Sequence, residues 1–313
     1  MDQFRFEFPL GRIARDPKPT DFPASLLLGK GAPTPELWKP SDAGGIPITM
    51  QDRQPACGGY SGQYSVVLYF YRQMVAKGLV PAYAPLSPRA AYALEKTVDG
   101  VGINVAGTTI EAIAKMRVQL GICLEALFLT DTSLAENIFD NWALSTDEAK
   151  ADALTRATGE SYFFLGKNPT FQSIKDAIFN YGDAILEVEV GEEWYTSLSG
   201  ATSWVAADVL PLRPPAKSLS GHFVDATQFD AANIYGPNEW SEQWGNKGWF
   251  QMQENYMPFV TNGVFFRKIP PTVKAQLTAQ QFSIAEQMIH AISEALALIS
   301  KEIGQGIAKV GSL

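Results

Sequence analysis

The sequence predicts an α+β fold with the helices first and the strands later. Three observations carry this expectation. Up to residue 181, apolar residues recur at helical spacing behind helix-starting signals, and after Gly182 they alternate in a β-branched pattern. The chain has 313 residues, 46% of them hydrophobic and 19% charged, so it is long enough to bury a sizeable core.

The elements follow in order. Residues 1–50 hold eight of the twenty prolines, a density that forbids long helices. Residues 1–35 are therefore expected as a Pro-rich N-terminal arm laid over the body. A helix is expected over 61–77, opened by Gly58-Gly59 and closed by Gly78; its interior is apolar enough to be buried on most sides. Thr108-Thr109-Ile110-Glu111 is a capping box for a helix that Gly121 ends, and Ser145-Thr146-Asp147-Glu148 is a second, stopped near Gly159. A further helix spans 171–181, with Thr170 as cap and Gly182 as stop. Strands are expected at 184–190, 223–229, 232–235, 249–253 and 264–269. In the tail, Met288, Ile292, Leu296, Ile299 and Ile303 recur every three or four residues. They predict a C-terminal amphipathic helix over 271–313 that packs on its own body or on a partner chain.

Composition narrows the function. A net charge of −8 argues against broad nucleic-acid binding. Two cysteines, Cys57 and Cys123, and two histidines, His222 and His290, exclude a disulfide scaffold and a Cys/His zinc site. Neither a metal nor a cofactor is expected. The start of the chain lacks the pattern of a secretory signal, and no run of 18 apolar residues suggests a transmembrane segment. The expected location is cytoplasmic or on a particle assembled there.

Two separated segments carry the chemistry. The first is Gln54-Pro55-Ala56-Cys57-Gly58-Gly59-Tyr60-Ser61-Gly62-Gln63-Tyr64. The second is Ser220-Gly221-His222-Phe223-Val224, followed by Asn238-Glu239-Trp240-Ser241-Glu242-Gln243-Trp244-Gly245-Asn246-Lys247-Gly248-Trp249-Phe250. Together they resemble papain-like (C1) cysteine peptidases of the bacterial and phage type, which have a Gln-x-x-x-Gly-x-Cys segment opening a central helix. Pro85-Leu86-Ser87-Pro88 with Tyr92, residues 107–120 followed by Gly121-Ile122-Cys123, and the leader from Arg15-Asp16-Pro17 to Asp21-Phe22-Pro23-Ala24-Ser25 fit the same resemblance.

The resemblance implies a two-lobed fold over residues 36–270. A helical half at about 55–165 contains the buried central helix, and an antiparallel, barrel-like strand half lies at about 183–270. It also implies a thiolate nucleophile at the helix N-terminus, a histidine base, an orienting asparagine and an oxyanion glutamine. Carried over without a gap, Gln54 matches the glutamine, His222 the histidine and Asn238 the asparagine, while the nucleophile position falls on Tyr60. A phenol with a pKa of about 10 is a poor nucleophile here. Gly58, Gly59, Gly107, Thr108, Gly221, Trp240 and Trp244 are expected to line the interlobe cleft.

The expectation is thus a pseudo-peptidase with Tyr60 plugging a relic site. It would be a structural or binding component that holds a protein or peptide partner in the cleft, in a homo-oligomer or a larger assembly such as a phage particle. The alternative is an active peptidase using Cys57 with His222 and Asn238. Read without the resemblance, His222 is equally a satisfied histidine beside a strand, the tryptophans are packing residues, and Cys123 is a small buried hydrophobe.

Overall fold

The computed structural model describes residues 11–14, 24, 27–28, 32–40, 45–52, 54–79, 85–194, 210–242 and 244–269. All of these but Ile269 belong to one compact unit. The expected C-terminal helix, with Met288, Ile292, Leu296, Ile299 and Ile303, lies outside the described residues, as do His290 and much of the N-terminal arm.

Helix α1 spans Cys57–Ala76, and every residue from Cys57 to Leu68 is buried. It begins before the expected start at residue 61, because Gly58 and Gly59 lie inside the helix and do not open it. A helical glycine costs about 1 kcal/mol relative to alanine. Here the loss is offset by close packing: a Cβ on Gly59 would stand 2.5 Å from the Tyr92 Cβ, and one on Gly62 2.6 Å from the Met116 Cε. Tyr92 lies on α2 (Pro88–Lys96), which has Pro88 in its first turn and Ser87 as cap, the Ser87 hydroxyl accepting from the Ala90 N–H. Helix α3 (Ile110–Lys115) is capped by Thr109 and runs on as a π-helical turn through Met116–Leu120 to Gly121, at φ 70°.

Short helices α4 (Glu136–Phe139) and α5 (Asp147–Leu154) follow. The second is capped by Thr146, one residue after the Ser145 that its capping box predicts, and it stops at Leu154, short of Gly159. Strand β1 (Ser161–Phe164) was not expected. Helix α6 spans Phe171–Tyr181, with Thr170 accepting from the Ser173 N–H and Gly182 at φ 107° ending it, as predicted.

The remaining strands are β2 (Ala184–Val190), β3 (Ser220–Ala226), β4 (Gln228–Phe229), β5 (Asn233–Pro237), β6 (Trp249–Gln253) and β7 (Val260–Arg267). They form two antiparallel sheets, a four-stranded one in the order β1-β7-β2-β3 and a three-stranded β4-β5-β6. Among the described residues no closed barrel forms. The α+β class stands, and the barrel-like lobe resolves into two open sheets.

Three features of this frame position the site. Strand β3 pairs with β2 on one side, with Glu187 opposite Phe223 and Val188 opposite His222. Its other side is an edge, and α1 covers it: the Ser61 hydroxyl donates to the Phe223 carbonyl at 3.0 Å. Finally, the β2–β7 ladder breaks register between Glu187 and Val188. This bulge lies in the stretch of sheet nearest the site.

Candidate active site

Cys57 is the first residue of α1 and is fully buried. The cap residue before it, Ala56, offers no side-chain acceptor, so the first-turn N–H groups and the positive end of the helix dipole surround the thiol. The sulfur also meets the backbone N–H groups of Phe223, Gly11 and Gly58. Burial nevertheless dominates and pushes the thiol up to about 12, against the lowering effect of those N–H groups. Cys57 and Ser61, one turn apart, thus dock on the two outward main-chain groups of Phe223, the residue next to His222.

The His222 Nε2 lies 2.8 Å from the Asn238 Oδ1. Because that oxygen can only accept, the contact assigns the proton to Nε2 and leaves a lone pair on Nδ1. Nδ1 is buried and has no hydrogen-bond partner among the described residues. Indoles enclose the ring, Trp240 at 4.9 Å and Trp194 at 5.8 Å between centroids. Burial drives the imidazole down to about 4, with the Asn238 hydrogen bond opposing it. Trp240 and Trp244 are fully buried, and Trp194 joins them. Its Nε1 donates to the Tyr256 hydroxyl at 2.7 Å, and its carbonyl accepts from the Trp244 Nε1 at 3.3 Å.

Two expectations about the first segment are corrected. Tyr60 does not plug a cleft; it packs inside the helical half with Ala56, Tyr92 and Phe139, and burial raises its phenol further. Gln54 spends its side-chain amide on the Thr132 and Leu134 carbonyls, at 2.9 and 2.8 Å, so it has no donor left for an oxyanion. A second glutamine in this segment, Gln51, was not among the expected site residues. It lies six residues before Cys57, the interval first counted from Gln54 to Tyr60. Gln51 is fully buried, its side-chain amide donates to the Gln54 carbonyl at 2.6 Å, its N–H donates to the Glu239 carbonyl at 2.8 Å, and Met50 pairs with Trp240, so this segment lies beside Asn238.

Of the expected cleft residues, Gly58 and Gly59 serve packing against Thr108 and Tyr92. Gly107, Thr108 and Gly221 do meet a peptide, and it is the protein's own arm. The Thr108 N–H donates to the Gly11 carbonyl at 2.7 Å, and the Ile13 N–H to the Thr108 carbonyl at 2.6 Å, a parallel bridge that brackets Arg12. A Cβ on Gly11 would collide with the Pro55 carbonyl, and one on Gly221 with the Arg12 side chain. The Arg12 guanidinium pairs with Glu187 at 3.2 Å and donates to the Thr261 hydroxyl at 2.8 Å. Cys57 and Cys123 are both free thiols.

The fold has counterparts among solved structures. The chain is similar to xylellain, a cysteine protease from Xylella fastidiosa (TM-score 0.61, 16% identity, 86% of this chain and 100% of that one). It is similar to digestive procathepsin L 3 of Tenebrio molitor larval midgut (0.58, 13%, 83% and 76%). It is also similar to procathepsin B S9 from Trypanosoma congolense (0.56, 17%, 85% and 90%). No family model matches the chain, and no curated protein matches it. At these identities the likeness establishes a papain-like fold.

Proposed function

We propose that the chain is a papain-like cysteine peptidase whose nucleophile is Cys57, covered by its own residues 11–13. One observation carries this reading. Cys57 begins α1 against Phe223, and the neighbouring His222 is oriented by Asn238 with its Nδ1 lone pair uncommitted.

The chemistry follows from those roles. Nδ1 accepts the thiol proton as Sγ attacks the scissile carbonyl carbon, and negative charge develops on the carbonyl oxygen. The Cys57 N–H and the Gln51 side-chain amide, one N–H of which donates to the Gln54 carbonyl at 2.6 Å, stabilise that oxyanion. The imidazolium then gives its proton to the leaving amine, and a thioester remains. Water, deprotonated at Nδ1, attacks the thioester and releases the acid and the free thiol. In the covered state the sulfur meets the Gly11 N–H.

A second reading, an inactive structural or binding component such as a particle protein, is favoured by one fact: burial holds both thiol and imidazole neutral. Labelling of the full-length protein with iodoacetamide or a peptidyl epoxide at neutral pH separates the two. The peptidase reading expects an adduct on Cys57 whose formation His222→Ala slows. Equal labelling with and without His222, once the arm is displaced, would leave the inactive reading standing.

A further inference from the structure

Strand β7 carries rings on both of its faces and runs out into two cations, Arg267 and Lys268. Phe265 stacks on Tyr181 at the end of α6, with centroids 4.6 Å and planes 14° apart, and on Phe163 of β1 at 5.5 Å. Phe266, one residue on, faces the other way and lies against the buried Arg117 guanidinium at 3.8 Å. Where the strand ends, between α6 and the second half of α1, there is a cavity of about 370 Å³ lined in part by Phe266 and Tyr181. Its α1 wall is Tyr69 and Gln73, about 18–24 Å along the helix from Cys57 at 1.5 Å per residue. The cavity is therefore separate from the cleft that residues 11–13 cover.

Arg267 and Lys268 line this cavity, and both are exposed. Each leans on a tyrosine: the Lys268 Nζ lies 5.6 Å from the Tyr69 centroid and the Arg267 guanidinium 5.6 Å from that of Tyr181, with the phenol oxygen as hydrogen-bond partner. A neutral phenol leaves most of the ammonium and guanidinium donors unused. Among the described residues, neither cation ion-pairs with a carboxylate. The acid in the lining, Glu160, is already met by Arg117, whose Nη2 donates to its Oε2 at 3.0 Å and whose Nε does so at 3.3 Å. Even with Asp183, the second acid on Arg117, cations outnumber carboxylates around these rings. In a chain of net charge −8, that is a local reversal of sign.

We propose that this cavity binds a small aromatic anion, with its ring among Tyr69, Tyr181 and Phe266 and its carboxylate, sulfonate or phosphate on the unused donors of Arg267 and Lys268. The volume is in the range of small-molecule sites, and aromatic walls suit a flat ring. The site is independent of whether Cys57 reacts. Calorimetry on the full-length protein compares three ligands that share one ring system: 2-naphthoate, 2-naphthalenemethanol and 2-naphthylmethylammonium. Naphthoate is expected to bind at least about tenfold tighter than the alcohol, to weaken as salt is added, and to bind where the ammonium does not. Equal affinity of acid and alcohol, or no binding of naphthoate up to about 1 mM, overturns the proposal. So does sulfate that binds as tightly as naphthoate, because the rings would then contribute nothing.

Variants locate the binding. Arg267→Gln/Lys268→Gln alters only exposed side chains and is expected to reduce naphthoate to the affinity of the alcohol. Gln73→Trp fills the cavity from the exposed surface of α1 and is expected to abolish the binding of both. An acid preference that survives the double variant, or undiminished binding in Gln73→Trp, overturns the assignment. Should a variant fold poorly, the wild type answers through its own rings. Naphthoate is expected to shift the NMR signals of the Tyr69 and Tyr181 ring protons and to leave those of buried Tyr60 in place, and shifts that avoid Tyr69 and Tyr181 overturn the proposal.

Discussion

The His222 Nε2 lies 2.8 Å from the Asn238 Oδ1, deep among Trp194, Trp240 and Trp244, while its Nδ1 has no hydrogen-bond partner among the described residues. The hydrogen bond fixes the tautomer that a base acting through Nδ1 needs. Asn238→Ala should lower the rate of His222-dependent labelling of Cys57 by about tenfold or more. Asn238→Asp should raise the imidazole above its present value of about 4, since a carboxylate favours the charged ring. NMR titration of the two histidines in each variant checks the second point. An unmoved His222 would show that Asn238 has no electrostatic hold on it.

Cover and thiol ionisation are coupled. Burial holds the Cys57 thiol at about 12, so labelling of the covered protein should climb only toward strongly alkaline pH. Gly11→Val leaves the body of the protein untouched, but its Cβ would collide with the Pro55 carbonyl and expel the arm. Water then reaches the helix N-terminus, and the onset of labelling should move down toward neutral pH. The pH dependence of iodoacetamide rates on wild type and variant tests this. Superimposed profiles would mean that the arm does not govern the thiol.

The two glutamines should behave differently. Gln51→Ala should lower turnover by about 10²–10³, the pattern of a lost oxyanion donor, and should also cost roughly 1–3 kcal/mol of stability because it strips the Gln54 carbonyl of its buried donor. Gln54→Ala strips the Thr132 and Leu134 carbonyls of their donor and should cost roughly 1–3 kcal/mol of stability. Activity per folded molecule should persist. Urea unfolding beside hydrolysis rates separates the roles, and a reversal of the two outcomes would return the oxyanion role to Gln54.

These glutamines also show why part of the site was illegible. Gln51 and Gln54 stand three residues apart, so a six-residue count ends on Cys57 from one and on Tyr60 from the other. Only the fold reveals that α1 begins at Cys57 and turns Tyr60 inward. The glycine pair after Cys57 read as a helix opener because backbone freedom is visible in a sequence, whereas the approach of Tyr92 that needs Gly59 is not. Elements with local signals were plain: Thr170 and Gly182 bracket α6, and alternation marks β2. Strand β1, whose pairing with β7 joins distant parts of the chain, had no such signal, and neither did the meeting of Arg12 with Glu187.

A corollary concerns Tyr60. Were it the vacated nucleophile position, Tyr60→Cys would restore activity to a Cys57→Ala protein. Its packing against Ala56, Tyr92 and Phe139 predicts instead a cavity and a loss of about 2–4 kcal/mol, with no thiol reactive through His222. Labelling of native Tyr60→Cys/Cys57→Ala, abolished by His222→Ala, would reverse the assignment of Cys57.

The buried imidazole finally makes a prediction about stability. His222 titrates near 4 in the native protein and near 6.5 when unfolded. Between those values the unfolded chain binds the proton and the native one does not, so acid favours unfolding. The contribution is fully present above about pH 6.5 and is lost as pH falls toward 4, at about 1.4 kcal/mol per pH unit and about 3 kcal/mol in all. Glu239, raised to about 8, and Asp140, raised to about 7, both by burial, work in the opposite direction, because the native state holds their protons. Wild type alone would therefore show a blunted response. The difference between wild type and His222→Gln cancels the carboxyl contributions that the two share, so urea unfolding at pH 7, 5.5 and 4.5 should show the wild type losing its margin stepwise. Parallel curves would mean that the native imidazole takes up its proton as readily as an exposed one, and the dry indole enclosure around it would have to open in solution.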